Sequence, residues 1–456
     1  NVALQGLAVR AMTRAFADSA GIPRTDVAKA ALPLLGDPDP GHRIEALRAL
    51  GTFRGDSALS VAVIPLTDDG VGNVDVQAVQ TLGALGGARA GEILAGLVVA
   101  KRPWAIRSAA LLSLARVDSA AFRRAVGPWS ASSDWRDRAV AAEGWGATGG
   151  TGFPSGPLGD ADGRVVAAAL QAWSGAVKGV DTALTNVARR HLGDADAAVR
   201  SVAADIIARA PAATDLGPLA AAWSRAARDS FPDAGESALG AIKALAGGPD
   251  GVAASRFAAT AAPPPNALGY LYRAWAEANW PELGDHWGPS TPISTRRSLE
   301  DYRSIARQFI LGTPDQRSPQ VTLELVGNGT LGLTLFGADA PLTVANFLRL
   351  VDAGYFNGDR WHRVVPDFVV QDGDPRGDGW GGPGTVIRDE INRHRYAAGT
   401  VGMALSGPDT GGSQWFISLD QEPHLDGTYT VFGTVSSGYV SLGRILQGDL
   451  IRSIHR

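Results

Sequence analysis

The sequence predicts a multidomain α + β protein in which a helical solenoid precedes a domain built mainly of antiparallel β-strands. The chain has 456 residues, which is more than one hydrophobic core usually holds. Residues 1–247 are rich in alanine and leucine at helical spacing. From Val321 onward, apolar and polar residues alternate as they do in half-buried strands. The change of pattern separates a helical part from a β part.

The first part contains a motif that recurs at a nearly constant interval. An alanine inside an apolar helical run marks each copy, and successive markers lie 28 to 34 residues apart. The markers are Ala46, Ala78, Ala110, Ala141, Ala169 and Ala203. A period of this length is typical of stacked helix pairs, each of which buries its apolar face only against its neighbours.

The junctions between the copies support the same interpretation. Three of them share a Leu-Gly-Asp-X-Asp pattern, at residues 35–39, 158–162 and 192–196. Glycine ends one helix, and the second aspartate caps the next. Residues 1–247 therefore resemble an α-solenoid of HEAT-like repeats. An irregular helical bundle is the alternative that the pattern leaves open.

The segment 248–318 is predicted to be a helical cap and linker. Leu268–Trp280 is rich in aromatic residues, and Arg297–Ile310 has helical spacing. We place the β domain at 319–448 and a C-terminal tail at 449–456. Within the β domain, Asn328-Gly329 indicates a hairpin turn, and Ala340–Leu350 is predicted to form an amphipathic helix.

Composition excludes several classes of function. The net charge of −4 provides no basic field that would attract nucleic acid. The sequence has no uninterrupted run of 18 apolar residues, so no transmembrane helix is predicted. The absence of cysteine excludes disulfides, thiolate metal sites and cysteine nucleophiles. Together with a first residue, Asn1, that is not methionine, it favours the cell envelope or periplasm over the cytoplasm as the location.

Four blocks in the β domain carry the most specific information. They are WHRVVPDFVVQDGDP at 361–375, GMALSGP at 402–408, GSQWFI at 412–417 and LDGTYTVFG at 425–433. In this order and spacing, they resemble the cyclophilin family of peptidyl-prolyl cis/trans isomerases over roughly residues 319–448. The resemblance implies a closed antiparallel β-barrel capped by a helix over each open end. It also implies an activity on X-Pro bonds, a reaction that needs no cofactor.

The resemblance also assigns roles to individual residues. Arg363 would be the catalytic hydrogen-bond donor, with Gln371 orienting it and Phe368 beside the substrate proline. The remaining residues would form the substrate-binding pocket and groove: Val369, Ala404, Leu405, Gln414, Phe416, His424, Leu425 and Tyr429. Taken alone, each of these residues could instead have an ordinary structural role. Arg363 could form an ion pair on a strand, and Phe368 and Phe416 could be core aromatic residues.

Four positions depart from the residues that many family members have. Val369 replaces a methionine, Leu405 an asparagine, His424 a tryptophan and Tyr429 a histidine. The contact at Leu405 is expected to come from the backbone, so its side chain matters less. His424 is the most consequential change, because the tryptophan supports cyclosporin binding. We therefore expect weak cyclosporin sensitivity alongside retained isomerase activity.

Other chemistries are disfavoured by spacing. The seven histidines show no metal-ligand spacing. The glycine patterns at 327–332 and 377–382 do not open a helix, as a phosphate-binding loop would. Ser413 lacks a nucleophile elbow and is expected to support the turn that presents Gln414.

The sequence thus predicts a prolyl isomerase carried on a helical scaffold. Its partners would be proline-containing polypeptides and a protein partner on the solenoid surface, with no nucleic acid. The alternative function is a non-catalytic module that binds proline segments, or an assembly subunit of a larger complex. Arg363 together with Gln371 favours the enzyme.

Overall fold

A computed structural model describes residues 8–149, 152–229, 231–248, 251–264, 267–289 and 297–456. The chain forms two compact units. Unit 1 contains described residues within 1–125, 297–382 and 387–456, and unit 2 contains described residues within 126–296 and 383–386. The predicted domain boundaries at 247, 318 and 448 remain predictions, and part of the predicted cap (249–250, 265–266 and 290–296) lies outside the described residues.

The N-terminal part of unit 1 is helical. Its α-helices are α1 (Arg14–Ala20), α2 (Arg24–Ala31), α3 (Pro40–Gly51), α4 (Ser60–Val63), α5 (Gly72–Leu85), α6 (Ala88–Val99), α7 (Trp104–Val117) and α8 (Ser119–Ala125). Helix α3 packs against α5, and α5 packs against α7. Short 3-10 helices at Leu32–Gly36 and Ile64–Asp68 connect successive copies.

Unit 2 continues with helices of similar length. They are α9 (Gly127–Ser130), α10 (Trp135–Ala147), α11 (Gly163–Ala176), α12 (Thr182–His191), α13 (Ala197–Ala208), α14 (Leu216–Ala226), α15 (Asp233–Ala246), α16 (Gly251–Thr260), α17 (Ala267–Asn279) and α18 (Pro281–Trp287). Within this unit α10, α11, α13 and α15 pack in succession. The aromatic helix predicted at 268–280 is α17.

The alanine markers all lie where a helix meets its neighbour. Each of the six predicted markers has no exposed surface. A methyl side chain lets two helix axes approach closely, and burial of this small group explains why the motif recurs. The aspartate junctions were also predicted correctly: Asp39, Asp162 and Asp196 accept hydrogen bonds from the first-turn amides of α3, α11 and α13.

The C-terminal part of unit 1 begins with helix α19 (Leu299–Ile305), which continues as a π-helix (Ala306–Ile310) where a plain helix was expected. After α20 (Pro314–Arg317), the chain enters the β domain, whose helices are α21 (Pro341–Asp352) and α22 (Tyr439–Leu442). Its strands are β1 (Gln320–Leu325), β2 (Gly329–Leu335), β3 (Arg363–Val365), β4 (Val369–Asp372), β5 (Thr400–Met403), β6 (Trp415–Ser418), β7 (Val431–Ser437) and β8 (Ile451–His455).

The eight strands form one antiparallel sheet in the order β3-β4-β6-β5-β7-β2-β1-β8. The expectation of a closed barrel was wrong, because the sheet is an open half-barrel with β3 and β8 at its edges. Strand β3 has only three residues. A single isolated bridge, between Arg360 and Leu450, joins the segments that precede β3 and β8, whereas a closed barrel would need a continuous ladder between these strands. Closure requires pairing along the edge strands.

Two hydrophobic clusters lie in the β domain. The larger one joins the sheet to α21 through aromatic contacts of Phe347, with Trp415 at 5.6 Å and Phe432 at 5.3 Å between ring centroids. The smaller cluster surrounds Phe416 and is described below. Among the described residues, the helices are too short or too polar to cross a bilayer.

Candidate active site

A relay of three polar side chains begins at Arg363. Strands β3 and β4 form a hairpin in which Arg363 stands opposite Gln371. Residues opposite each other in an antiparallel pair share one face of the sheet, so their side chains meet. Arg363 Nη1 donates to Gln371 Oε1 at 3.0 Å, and Gln371 Nε2 donates to Gln414 Oε1 at 3.1 Å. The guanidinium orientation is therefore set by an amide that is itself held.

The far end of the relay is anchored to a loop. Gln414 Nε2 donates to the carbonyl oxygens of Gly379 and Gly381 at 2.8 and 2.9 Å. The preceding residue, Ser413, is buried, and its hydroxyl donates to the carbonyl of Gly373 at 2.6 Å. Ser413 thus supports the turn that presents Gln414, as predicted.

An apolar cluster lies next to this relay. Val369, Phe416 and Leu425 are buried in it, and Phe368, Ala404 and Tyr429 pack against it while remaining partly accessible. Phe416 and Tyr429 meet edge to face, with ring centroids 5.9 Å apart. The structure thus brings together six of the residues that the sequence singled out for the substrate-binding pocket and groove. Apolar walls with partly exposed rings suit an apolar ring as ligand.

Phe368 connects the polar and apolar parts. The guanidinium carbon of Arg363 lies 5.7 Å from the centroid of the Phe368 ring, within the range of a cation–π contact. His424 stacks on the same ring, with the ring centroids 5.6 Å apart. Asp367, which directly precedes Phe368, has a φ of 57°, an uncommon backbone conformation for a residue other than glycine.

Leu405 is placed differently from its predicted neighbours. Its side chain packs against the larger core cluster and is not a member of the pocket cluster. The adjacent backbone is held by a hydrogen bond from the Ala404 amide to the Gln414 carbonyl at 3.0 Å. A role for Leu405 through its backbone stays a prediction.

Sequence reasoning missed Tyr396, Val431 and Phe336, which also belong to the pocket cluster or pack on it. Tyr396 is buried, and its ring stacks on Phe416 at 5.4 Å. It lies in an irregular segment, where periodicity gives no signal. Its neighbour Gly402 was the available clue: a Cβ there would lie 2.2 Å from the Tyr396 hydroxyl and 2.7 Å from the Phe416 ring.

A buried ionisable pair flanks the relay in sequence, since His362 directly precedes β3 and Asp372 is the last residue of β4. His362 Nδ1 and Asp372 Oδ1 are 3.6 Å apart, and both side chains are almost fully shielded from solvent. Burial raises the pKa of Asp372. Burial, with a smaller effect from the Asp372 and Asp374 carboxylates, also raises the pKa of the nearby Asp359 to about 7. Among the described residues, no group of three or more histidine or acidic side chains has an arrangement that would hold a metal ion.

Two family models match the chain. Residues 320–453 match the model described as cyclophilin type peptidyl-prolyl cis-trans isomerase/CLD, and residues 28–115 match HEAT repeats. The resemblance that the sequence motifs indicated is therefore confirmed for residues 28–115 and 320–453, in the predicted order.

Curated relatives match the same C-terminal region. A peptidyl-prolyl cis-trans isomerase of Helicobacter pylori is 46% identical over 28% of this chain and 80% of its own. One of Synechococcus elongatus is 48% identical over 28% of this chain and 88% of its own. Peptidyl-prolyl cis-trans isomerase B of Bacillus subtilis is 46% identical over 26% of this chain and 85% of its own. A crystal structure of a Cryptosporidium parvum cyclophilin with the dipeptide Ala-Pro is 30% identical over 30% of this chain and 99% of its own, with a TM-score of 0.29.

Proposed function

The chain belongs to the cyclophilin family of peptidyl-prolyl cis-trans isomerases, and from this premise we propose that it isomerises X-Pro bonds at Arg363, beside the pocket around Phe416. The observation that carries the proposal is the juxtaposition of an oriented guanidinium with an apolar pocket. Arg363 is hydrogen-bonded to Gln371, and its guanidinium lies over the ring of Phe368. HEAT repeats precede the isomerase domain in the same chain.

The reaction requires little chemistry from the protein. Amide resonance imposes a barrier of about 18–20 kcal/mol on rotation about the X-Pro bond. The uncatalysed step takes tens to hundreds of seconds at room temperature. No bond is broken, so neither a nucleophile nor a cofactor is needed. A catalyst must reduce conjugation of the prolyl nitrogen with the carbonyl and hold one side of the bond while the other rotates.

Arg363 supplies the first of these requirements. A hydrogen bond donated to the prolyl nitrogen favours the pyramidal nitrogen of the twisted transition state over the planar ground state. A guanidinium carries five N–H donors, so the bond to Gln371 leaves donors for the substrate. Gln371 and Gln414 restrict the rotation of the guanidinium, so less orientational freedom is lost in the transition state.

The apolar cluster supplies the second requirement. Val369, Phe416 and Leu425 would form the floor and walls against the proline ring, and Phe368 and Tyr429 its rim. Ala404, Leu405 and Gln414 would line the groove for neighbouring substrate residues. His424, which stacks on Phe368 with 62% of its side chain exposed, would contact the substrate from the edge.

The helical repeats would bind a client or a partner protein. HEAT-type repeats stack into extended surfaces that suit protein recognition. A tethered client has a high effective concentration of X-Pro bonds at the isomerase domain, which raises the rate without improving the site itself. This role rests on the family match at residues 28–115 and on the packing of α3, α5 and α7.

The test separates the two parts of the proposed site. In a short Ala-Pro-Phe-type peptide assay, Arg363→Ala should lower kcat by roughly a hundredfold, the order seen when one transition-state donor is removed. Phe416→Ala should mainly raise KM, because it removes binding that the ground and transition states share. Peptide binding without any acceleration by the intact chain would favour the alternative of a non-catalytic binding module.

A further inference from the structure

The turn that carries Phe368 is held from outside the β domain. The guanidinium Nη2 of Arg48, on helix α3, donates to the carbonyl of Pro366 at 2.6 Å. Pro366 directly precedes the left-handed residue Asp367, which directly precedes Phe368. The first turn of α3 also lies against Asp367, since a Cβ on Gly41 would be 2.9 Å from Asp367 Oδ1.

Around this contact lies a network of opposite charges, in which the Glu45 and Glu422 side chains are buried while those of Arg10, Arg48 and Asp420 are partly exposed. Glu45, one turn before Arg48 on α3, has 3% of its side chain exposed and is ion-paired with Arg48 and with Arg10. Arg10 also reaches Asp420 at 2.8 Å, and it approaches Asp367 and Glu422, each at 3.7 Å. All these residues belong to unit 1.

The network meets the pocket at two points. One is Phe368 itself, through the turn at 366–367. The other is the segment after β6, where Glu422 lies 3.5 Å from His424, which stacks on Phe368. The Leu425 amide donates to the Glu422 carbonyl at 3.0 Å, so the backbone of Glu422 also holds Leu425, a residue of the pocket cluster. A displacement of α3 would therefore move both the turn that carries Phe368 and the segment that carries His424, which stacks on the Phe368 ring.

We propose that Arg48, with Glu45 and Arg10, forms a positioning site through which helix α3 holds Phe368 in its pocket geometry. The inference rests on the proposed function, since it assigns Phe368 a place at the substrate proline. On either side of the left-handed backbone of Asp367, the Pro366 carbonyl is bonded to Arg48 and the Asp367 carboxyl lies against Gly41 of α3. The helical region then acts on the isomerase site directly, besides any role in binding partners.

The contact depends on pH through Asp367. Burial, together with the adjacent Glu45 carboxylate, raises the pKa of Asp367. The charged groups that face it are Glu45 and Arg48 on α3, Arg10, and Asp420 and Glu422 after β6, with Asp39 and His42 lining the same cavity. A carboxyl whose pKa is raised in the folded state stabilises the contact while protonated, and that stabilisation is lost as pH rises through the folded pKa. Asp367→Asn should therefore flatten the alkaline side of the activity profile.

The decisive experiment uses the full chain with Arg48→Met, which removes the donor and keeps most of the side-chain volume. Proline-peptide affinity and kcat/KM are measured together with the melting temperature. We expect kcat/KM to fall by roughly five- to tenfold, chiefly through KM, because a small displacement of a positioned group is costly. Arg48→Lys should restore part of the loss. The matched control is Arg89→Met on α6, whose exposed side chain forms an ion pair with the equally exposed Glu92.

A double mutant distinguishes positioning from general destabilisation. If Arg48 acts through Phe368, Arg48→Met should cost little more once Phe368→Ala is present, because contacts that share a partner are not additive. Equal fold-losses in both backgrounds, or activity and affinity equal to those of Arg89→Met, would overturn the inference. Arg48→Met with Glu45→Gln removes both partners of the pair and serves if an unpaired buried carboxylate prevents folding.

Failure of the proposed function would be visible separately. An intact chain without isomerase activity would refute the proposed catalysis, and the effect of Arg48→Met on peptide affinity would then decide the positioning role alone. Unchanged affinity in that case would refute the inference as well.

Discussion

At the scale of single residues, the candidate site consists of one cation whose direction is determined by two amides. Arg363 is bound by Gln371, Gln371 by Gln414, and Gln414 by the 379–381 loop. An amide both donates and accepts, so it can connect a cationic donor to the next acceptor in the series. The relay costs no buried charge and leaves the guanidinium accessible.

Replacing the central amide should weaken catalysis without abolishing it. In Gln371→Leu the guanidinium keeps its charge but loses the acceptor that orients it. We expect kcat/KM to fall by roughly tenfold, about the value of one charge-assisted hydrogen bond. The loss should be smaller than for Arg363→Ala in the same peptide assay. A loss equal to that of Arg363→Ala would mean that Gln371 contacts the reacting bond itself.

His424 should determine the response to cyclosporin. The exposed imidazole stacks on Phe368 where many relatives have a larger indole. We expect the native chain to be inhibited weakly and His424→Trp to bind cyclosporin at least roughly tenfold more tightly, since a larger aromatic surface adds contact area. The inhibition constants of both proteins test this. Native inhibition as tight as that of the variant would contradict it.

Asp359 should lower stability at alkaline pH. Burial raises its pKa to about 7 from an ordinary value near 4, so between these values the folded state binds the additional proton. Stability therefore declines as pH rises from about 4 to about 7, and the full penalty remains above that range.

Asp359→Asn should remove this penalty. We expect stabilisation by roughly 1–2 kcal/mol at pH 8, less than the full pKa shift implies because water still reaches the side chain. The gain should shrink towards pH 4. Melting temperatures at both pH values provide the measurement, with the exposed, ion-paired Asp352→Asn as control. A gain of equal size at both pH values would show that the carboxyl's ionisation is not the cause.

At the scale of elements, small residues control how closely the repeats approach. Gly83 on α5 faces α7, and a Cβ at this position would lie 2.5 Å from Ser113 Oγ and 2.9 Å from the Ser113 Cα. Gly96 on α6 has open space at the same position. Both glycines lie inside helices, so they have the same intrinsic helical cost and differ in packing.

Alanine at these two positions should have opposite effects. Gly83→Ala should destabilise unit 1 by about 1–3 kcal/mol, because the neighbouring backbone has to move. Gly96→Ala should stabilise it by about 0.5–1 kcal/mol, because alanine favours the helix and meets no neighbour. Thermal unfolding of the two variants beside the native chain tests this pair. Stabilisation by both substitutions would show that α5 and α7 are not in close contact.

The helical elements could be predicted from the sequence because their causes are local. A capping aspartate accepts hydrogen bonds from amides within the next turn. A buried alanine recurs because every repeat makes the same close helix–helix contact. The π-helix at Ala306–Ile310 could not be predicted, since its residues also fit an ordinary helical pattern. The open edge of the sheet depends on how few residues β3 pairs, which alternation in sequence does not reveal.

At the scale of the whole molecule, the isomerase family and the repeats were evident from the order of motifs, whereas contacts between distant segments were not. Arg48 and Pro366 are separated by 318 positions, and no pattern in either segment points to the other. Tyr396 escaped prediction for a related reason, because its partner Phe416 reaches it only through the fold. Local chemistry thus predicts elements and motifs, while tertiary structure determines which motifs act on one another.

Catalysis at Arg363 can be measured as the rate of cis–trans exchange in an Ala-Pro-Phe-type peptide, followed at equilibrium by NMR with catalytic amounts of the full chain. We expect rapid exchange with the native chain and near-loss of the acceleration in Arg363→Ala. The acceleration should be retained in Arg360→Ala, whose exposed side chain donates to the Gly448 carbonyl at the sheet edge. Equal exchange rates with the native chain and with Arg363→Ala would contradict the placement of catalysis at Arg363.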